Sequence, residues 1–315
     1  MYTIGDLSPH GYSFFVFSIV TPIIASLAVF VRVYTRLYIS KSFGVDDIML
    51  LVCLFLFIGV SATGVAISLY GFGSHQDDIS IDDLIIQLKY MYAEGIFFCL
   101  CLIAMRLSLC WLFLRFTSAP WQRAMLYGVA IISIIVNLVN LFRLNVFYCF
   151  PVSYYWDEYL YDDGYTCVSS STESTLLYMQ YAISIAADWV TSLLPLVLLK
   201  DSLMNKRLKF LTCCLLGIGI FASGAGIAAL ILTPTADDQG DYTYTAYGMF
   251  LAQVTEPFIA LLAASFGTYY PLFKAFCLPA SEGSHHPIKD PQMKDICSTQ
   301  VLEGLTGSES SRPSF

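Results

Sequence analysis

Hydrophobic residues along this chain neither alternate nor recur every three or four positions; they run on in long stretches separated by short polar segments. A helix rises about 1.5 Å per residue, so about 20 apolar residues cross the roughly 30 Å of a bilayer's hydrocarbon. Seven stretches reach that length: Gly11 to Val31, Ile48 to Ser74, Met91 to Phe116, Ala124 to Phe147, Ser174 to Leu199, Phe210 to Thr233 and Tyr244 to Phe273. Charges interrupt the third (Glu94, Arg106, Arg115), the fourth (Arg143), the fifth (Asp188) and the seventh (Glu256). The pattern predicts an all-α membrane protein, a seven-transmembrane helix bundle over residues 13–276. A short outer N-terminus, residues 1–12, precedes it. After it, residues 277–315 turn to Ser, Pro, Glu and His without helical period, the pattern of a disordered cytoplasmic tail. The start of the chain has no basic segment of the kind that opens a cleavable signal peptide.

Composition agrees. Of 315 residues, 57% are hydrophobic and 13% charged, about half the charged share of a soluble domain. That excludes a disordered chain, a nucleic-acid binder and a secreted disulfide scaffold, and makes the lipid bilayer the expected partner. The placement of charge says more than its net value of -8. Arg32, Arg36 and Lys41 follow the first span, and Arg115 and Arg123 flank the next loop on that side. Lys200, Lys206, Arg207 and Lys209 follow the fifth span, while Lys274, Lys289, Lys294 and Arg312 follow the seventh. The opposite loops carry Lys89 and are otherwise acidic: Asp77, Asp78, Asp82 and Asp83, then Asp157, Glu158, Asp162, Asp163 and Glu173, then Asp237, Asp238 and Asp241. The positive-inside rule therefore predicts an outer or lumenal N-terminus and a cytoplasmic C-terminus, in the plasma membrane or an endomembrane.

Ionisable side chains at membrane depth are expensive, and each one invites a functional reading. Counted from the outer ends of their spans, Arg106, Asp188 and Glu256 lie about 24, 21 and 18 Å deep at about 1.5 Å per residue. They are expected to share one polar layer, with Asn137 and Asn140 somewhat shallower. Two readings are open. In one, Arg106 neutralises Asp188 or Glu256 and fixes the packing of helices; in the other, the layer lines a cavity where a carboxylate exchanges a proton. Pro257, directly after Glu256, and Pro195, beyond Asp188, each free a backbone carbonyl and open space nearby. Glu94 is placed close enough to the outer end of its span to reach interfacial water. Small residues in the sixth span, Gly219 with Ser223 and Ala222 with Gly226, allow close helix contact.

Six cysteines lie inside spans and are read as small apolar packers. Cys149 and Cys167 belong to the acidic outer loop after the fourth span, where a disulfide is permitted, and they are expected to pair and pin that loop across the mouth of the bundle. No lysine lies within the last span to carry a retinal Schiff base, and the chain holds no phosphate-binding glycine loop, zinc-ligand cluster or nucleophile elbow. Neither cofactor nor metal is expected.

The segment Arg32-Val-Tyr-Thr-Arg36, followed by Gly44-Val-Asp46-Asp47, resembles the opening signature of the fungal rhodopsin-like seven-helix family. The similarity continues through Gly71-Phe-Gly-Ser-His75, Glu94, Arg106-Leu-Ser108, Cys149-Phe-Pro151, Trp156, Gly164, Cys167, Asp188, Pro195, Glu256 and Tyr270-Pro-Leu-Phe273. Arg106 stands where a lysine is usual, which keeps the charge but removes a deprotonable amine. Physically, Arg32 and Arg36 share a helix face, and Asp46 and Asp47 sit at the positive end of the next helix, so an Arg–Asp clamp is expected to lock the first two spans.

The family includes integral membrane proteins of secondary-metabolite gene clusters, the satratoxin type among them, and relatives of receptors linked to plant infection. The resemblance implies a membrane component of such a pathway, an accessory factor or an embedded enzyme. As an enzyme it would act on a hydrophobic metabolite with Asp188, Glu256 and Arg106 as its catalytic candidates, and pathway enzymes are then expected partners. The alternative is a receptor-like sensor that engages a cytoplasmic signalling partner through Lys206, Arg207 and Lys209.

Overall fold

The computed structural model describes residues 7–114, 120–142, 147–157, 166–200, 242–266 and 268–269, with Gly224, Ile227 and Ile231 as isolated helical positions. Most of the expected sixth span, the basic residues Arg115, Arg143, Lys206, Arg207 and Lys209, and the expected tail all lie outside the described residues.

Helix α1 (Pro9–Tyr34) begins at Ser8, whose hydroxyl accepts the Gly11 N–H at 3.1 Å, and Pro9 occupies a first-turn position where a missing N–H costs nothing. It runs on into one π-helical turn, Thr35–Ile39. Helix α2 (Val45–Leu69) carries Asp46 and Asp47 in its first turn, and the Asp47 carboxylate accepts the Gly44 N–H at 3.1 Å. Helix α3 (Ile81–Leu114) starts well before the expected Met91. Ser80 and Asp83 cap it reciprocally, Asp83 N–H to Ser80 Oγ at 3.3 Å and Ser80 Oγ to the Asp83 carboxylate at 3.0 Å. Asp82 and Asp83 therefore belong to a helical first turn, where the helix dipole favours them, and not to a loop. Next come α4 (Pro120–Asn140), the paired strands β1 (Cys149–Phe150) and β2 (Thr166–Cys167), the one-turn α5 (Tyr154–Asp157) and α6 (Ser170–Lys200). The chain of described helices closes with α7 (Tyr242–Thr245) and α8 (Tyr247–Phe266).

Among the described residues, five helical segments are long and apolar enough to cross a membrane: Pro9–Ile39, Val45–Leu69, Ile81–Leu114, Pro120–Asn140 and Thr243–Phe266. Helix α6 spans 31 residues. The outward faces are apolar, with Phe30 70% and Phe55 72% exposed. Such side chains are a liability in water and a natural surface in lipid. This is a multi-pass membrane protein. Below, the end that holds Arg32 and Arg36 is the basic end, and the end that holds Asp77, Asp78, Asp82 and Asp83 is the acidic end.

Two contacts fix the antiparallel register of α2 and α3. Ser108 Oγ donates to the Asp46 carbonyl at 3.0 Å, and seven residues further along each helix the Cys53 and Cys101 sulfurs meet at 3.5 Å. The same heptad steps place Val60 opposite Glu94 and Ile67 opposite Gln87. At the acidic end, α1 and the turn after α2 approach backbone to backbone. A Cβ on Gly11 would stand 2.5 Å from the Phe72 carbonyl oxygen, and one on Gly73, at φ +81°, would stand 2.7 Å from the Gly11 nitrogen. Gly73 N–H also donates to the Thr243 carbonyl at 3.2 Å, and the Thr243 hydroxyl donates to the Ser74 carbonyl at 2.9 Å. His75 stacks on Tyr244 with ring centres 4.4 Å apart.

Gly73→Ala is accordingly expected to destabilise the bundle by about 2–4 kcal/mol, through a left-handed backbone and a steric clash together. A Cβ on Gly128 of α4 would meet nothing within 4 Å, so Gly128→Ala serves as the control and should leave stability unchanged or slightly raised. Thermal unfolding of the two purified variants, followed by fluorescence, checks the pair.

Candidate functional site

The basic end is closed by the two arginines. Arg32 is fully buried: its Nε donates to Asp47 Oδ1 at 2.8 Å, its Nη2 to Asp46 Oδ2 at 2.9 Å, and its Nη1 to the Ala264 carbonyl of α8. Arg36 adds a bond from Nη2 to Asp46 Oδ2 at 3.2 Å and another from Nη1 to the Ser42 carbonyl at 3.1 Å. Tyr269 donates its hydroxyl to the Ala28 carbonyl at 2.5 Å. Two guanidinium groups thus face two carboxylates in a closed, neutral cluster joining α1, α2 and α8, with α3 attached through Ser108. Every charge has its hydrogen bonds, which a buried ion pair requires if it is not to destabilise. This cluster holds helices together.

The second cluster differs in its charge count. Arg106 of α3 donates from Nη1 to Asp188 Oδ1 of α6 at 2.5 Å. Its Nη2 donates to both the carbonyl, at 3.2 Å, and the hydroxyl, at 2.9 Å, of Ser184. The Ser184 hydroxyl donates in turn to Glu256 Oε1 of α8 at 2.6 Å. One guanidinium therefore serves two carboxylates, directly in one case and through a hydroxyl in the other. The set is electrically neutral only when one carboxyl group holds a proton. A hydroxyl that accepts from a cation and donates to a carboxylate is held in orientation by both and polarised toward the carboxylate.

One turn nearer the acidic end, Gln253 Nε2 of α8 donates to the Tyr181 hydroxyl of α6 at 2.9 Å. Tyr181 to Gln253 and Ser184 to Glu256 are the same 72 positions apart. The two bonds are successive rungs between helices running in the same direction. Pro257 lies inside α8 and has no N–H to offer the Gln253 carbonyl, so that carbonyl is released beside the upper rung. Ser184, Tyr181 and Gln253 are missed when charges alone are tracked. Their signal is helical spacing: Tyr181, Ser184 and Asp188 recur at three and four positions on one face of α6, as Gln253 and Glu256 do on α8.

Glu94 corrects an expectation. It does not reach interfacial water; only 2% of it is exposed, because α3 starts at Ile81 and carries position 94 more than three turns into the bundle. Neither Glu94 oxygen has a hydrogen-bond partner among the described residues, and neither polar atom of the Gln87 amide has one. Asn137 does not join the Arg106 cluster either. Its amide donates to the Ser133 carbonyl on its own helix at 2.8 Å.

At the acidic end, β1 and β2 pair with Cys149 opposite Cys167, and the two sulfurs are bonded. Tyr155 and Trp156 of α5 pack on Tyr92 of α3, the Lys89 ammonium lies 5.8 Å from the Trp156 ring centre, and the Tyr148 hydroxyl donates to Glu173 at 2.7 Å. The bond closes a loop of 18 positions, for which chain entropy gives about 3 kcal/mol. Cys149→Ser with Cys167→Ser is expected to lower the thermal midpoint, and treatment of the unsubstituted protein with reductant should reproduce the shift in the same assay.

The family model for the fungal rhodopsin domain matches residues 31–275. No curated protein and no solved structure matches the chain significantly.

Proposed function

The chain belongs to the fungal rhodopsin family, and we propose that it serves a fungal secondary-metabolite pathway, with its buried Arg106 layer acting on a hydrophobic intermediate. In this reading the bundle has seven spans, the acidic end faces outward or into a lumen, and the C-terminus is cytoplasmic. The observation that supports it is the convergence of Asp188, Glu256 and Ser184 on one guanidinium. A structural ion pair needs one carboxylate; the second, reached through a hydroxyl, gives the site a proton to exchange. Arg106 binds Asp188 and orients Ser184, and Glu256 gives or takes the proton. The intermediate enters from the bilayer, where its apolar body is already dissolved.

The test is metabolite profiling of a deletion strain complemented with the unsubstituted gene, Asp188→Asn, Glu256→Gln, or Lys206, Arg207 and Lys209 together changed to Ala. The expected result is loss of a product and accumulation of its precursor in the deletion and in both carboxylate variants, with those variants present in the membrane at normal level. Unchanged metabolites, or an effect confined to the loop variant, overturns the reading in favour of a sensor. Orientation has its own check. A C-terminal epitope should stain once the plasma membrane alone is permeabilised; staining of intact cells, or only after full permeabilisation, reverses the assignment.

A further inference from the structure

We propose that the interior between Glu94 and Glu256 is a proton route from the acidic end of the bundle, with Glu94 as the group that holds the proton on its way to Glu256. This deepens the acid–base reading given above and rests on it: a carboxyl group that gives up a proton in each turnover needs a source that restores it.

The first ground is a run of buried polar groups without partners. Gln87 and Glu94 lie seven residues apart on one face of α3, at 0% and 2% exposure, and neither side chain has a hydrogen bond among the described residues; nor has the Ser61 hydroxyl of α2, which is 2% exposed. The α2–α3 register sets Val60 opposite Glu94, so Ser61 lies at the level of Glu94. Buried polar groups in this number are satisfied by ordered water, and a carboxyl group next to water in a dry bundle is a stepping stone for protons.

The second ground is continuity. Tyr181 stands within electrostatic range of both Glu94 and Glu256, and it is tied to Gln253, one helical turn from Glu256. Ser61 of α2 thus lies at the level of Glu94, and Tyr181 of α6, bonded to Gln253 of α8, leads on toward Glu256. The cations of α3 are engaged elsewhere, Lys89 over the Trp156 ring and Arg106 at Asp188. In each transfer the O–H bond of the Glu94 carboxyl breaks and one forms on the Glu256 carboxylate, through water or the Tyr181 hydroxyl. Glu94 then takes a proton from water at the acidic end, beyond Gln87. No electrons move.

The test uses the full-length protein in lipid nanodiscs and infrared spectroscopy. The C=O stretch of protonated Glu256, identified by its loss in Glu256→Gln, is followed as it shifts on transfer to D2O. Expected is exchange at least tenfold slower in Glu94→Gln, with the unsubstituted rate restored in Glu94→Asp. Gln87→Leu dries the route without touching either carboxyl group and is expected to slow exchange as well, so the proposal stays testable if Glu94→Gln does not fold. Exchange as fast in Glu94→Gln or Gln87→Leu as in the unsubstituted protein overturns the route and leaves the acid–base reading standing. Absence of any protonated Glu256 band overturns both.

Discussion

Arg32→Met is expected to destabilise the protein by about 3–5 kcal/mol, because it leaves a carboxylate uncompensated inside the bundle. Arg32 bonds Asp46, Asp47 and the Ala264 carbonyl together. Without it, Arg36 is the cation that remains, among the described residues, beside two buried carboxylates, and the Ala264 carbonyl of α8 loses its hydrogen bond to α1. The cost lies in the stranded charge more than in the lost bonds, and a double substitution separates the two. Arg32→Met with Asp47→Leu removes one charge of each sign and should recover most of the stability, since a buried ion pair is often replaceable by apolar groups of similar size. Thermal midpoints of the two single variants and the double form a cycle; a double variant no more stable than Arg32→Met alone would show that the tie to α8 carries the effect.

Substitutions in the Arg106 layer are expected to split stability from function. Arg106→Met removes the cation that, among the described residues, binds Asp188 and reaches Glu256 through Ser184, and should cost about 3–5 kcal/mol, for the reason that applies at the clamp. Glu256→Gln keeps the shape and the acceptor for the Ser184 hydroxyl, so its effect on the thermal midpoint should stay within about 1 kcal/mol. Yet a glutamine has no proton to exchange, and the product of the pathway step should disappear. Arg106→Lys is informative between these two. It keeps the charge near Asp188 but cannot hold Asp188 and both Ser184 oxygens with one planar fork, so stability should fall less than in Arg106→Met while product formation still drops. Equal activity in Glu256→Gln and the unsubstituted protein would make the layer a packing device.

Much of this is legible in the sequence, and the residues that are not share physical reasons. Apolar runs announce spans because lipid demands length and apolarity, and the long helices α1 to α4 coincide with them to within a few residues at most ends. The start of α3 departs furthest, by ten residues, and α4 ends at Asn140, seven residues before the expected Phe147. Hydropathy assigns Asp82 and Asp83 to water, whereas a capped helix begins with such residues; the error also moves Glu94 from the interface to the interior. Charges inside apolar runs draw attention to Arg106, Asp188 and Glu256 at once. Ser184 escapes notice because serine is unremarkable in a membrane helix, and its role depends on which neighbours α3 and α8 bring to it. The Ala264 carbonyl could not be anticipated at all, since a backbone atom leaves no mark on composition.

The two charged clusters also differ in when they can form. Arg32 lies 14 positions from Asp46 and 15 from Asp47, so both halves of the clamp emerge from the ribosome within one helical hairpin. Their charges can cancel while α1 and α2 are entering the bilayer, before α3 exists. The Arg106 layer draws on residues 82 positions apart, from Arg106 to Asp188, and then a further 72 from Ser184 to Glu256. Arg106 has no carboxylate to pair with until α6 is made, and Glu256 joins the layer only with α8. Biogenesis thus proceeds from a self-contained N-terminal hairpin to a layer that completes only when the last helix arrives. A chain truncated before α8 keeps its anchor and never acquires the second carboxylate.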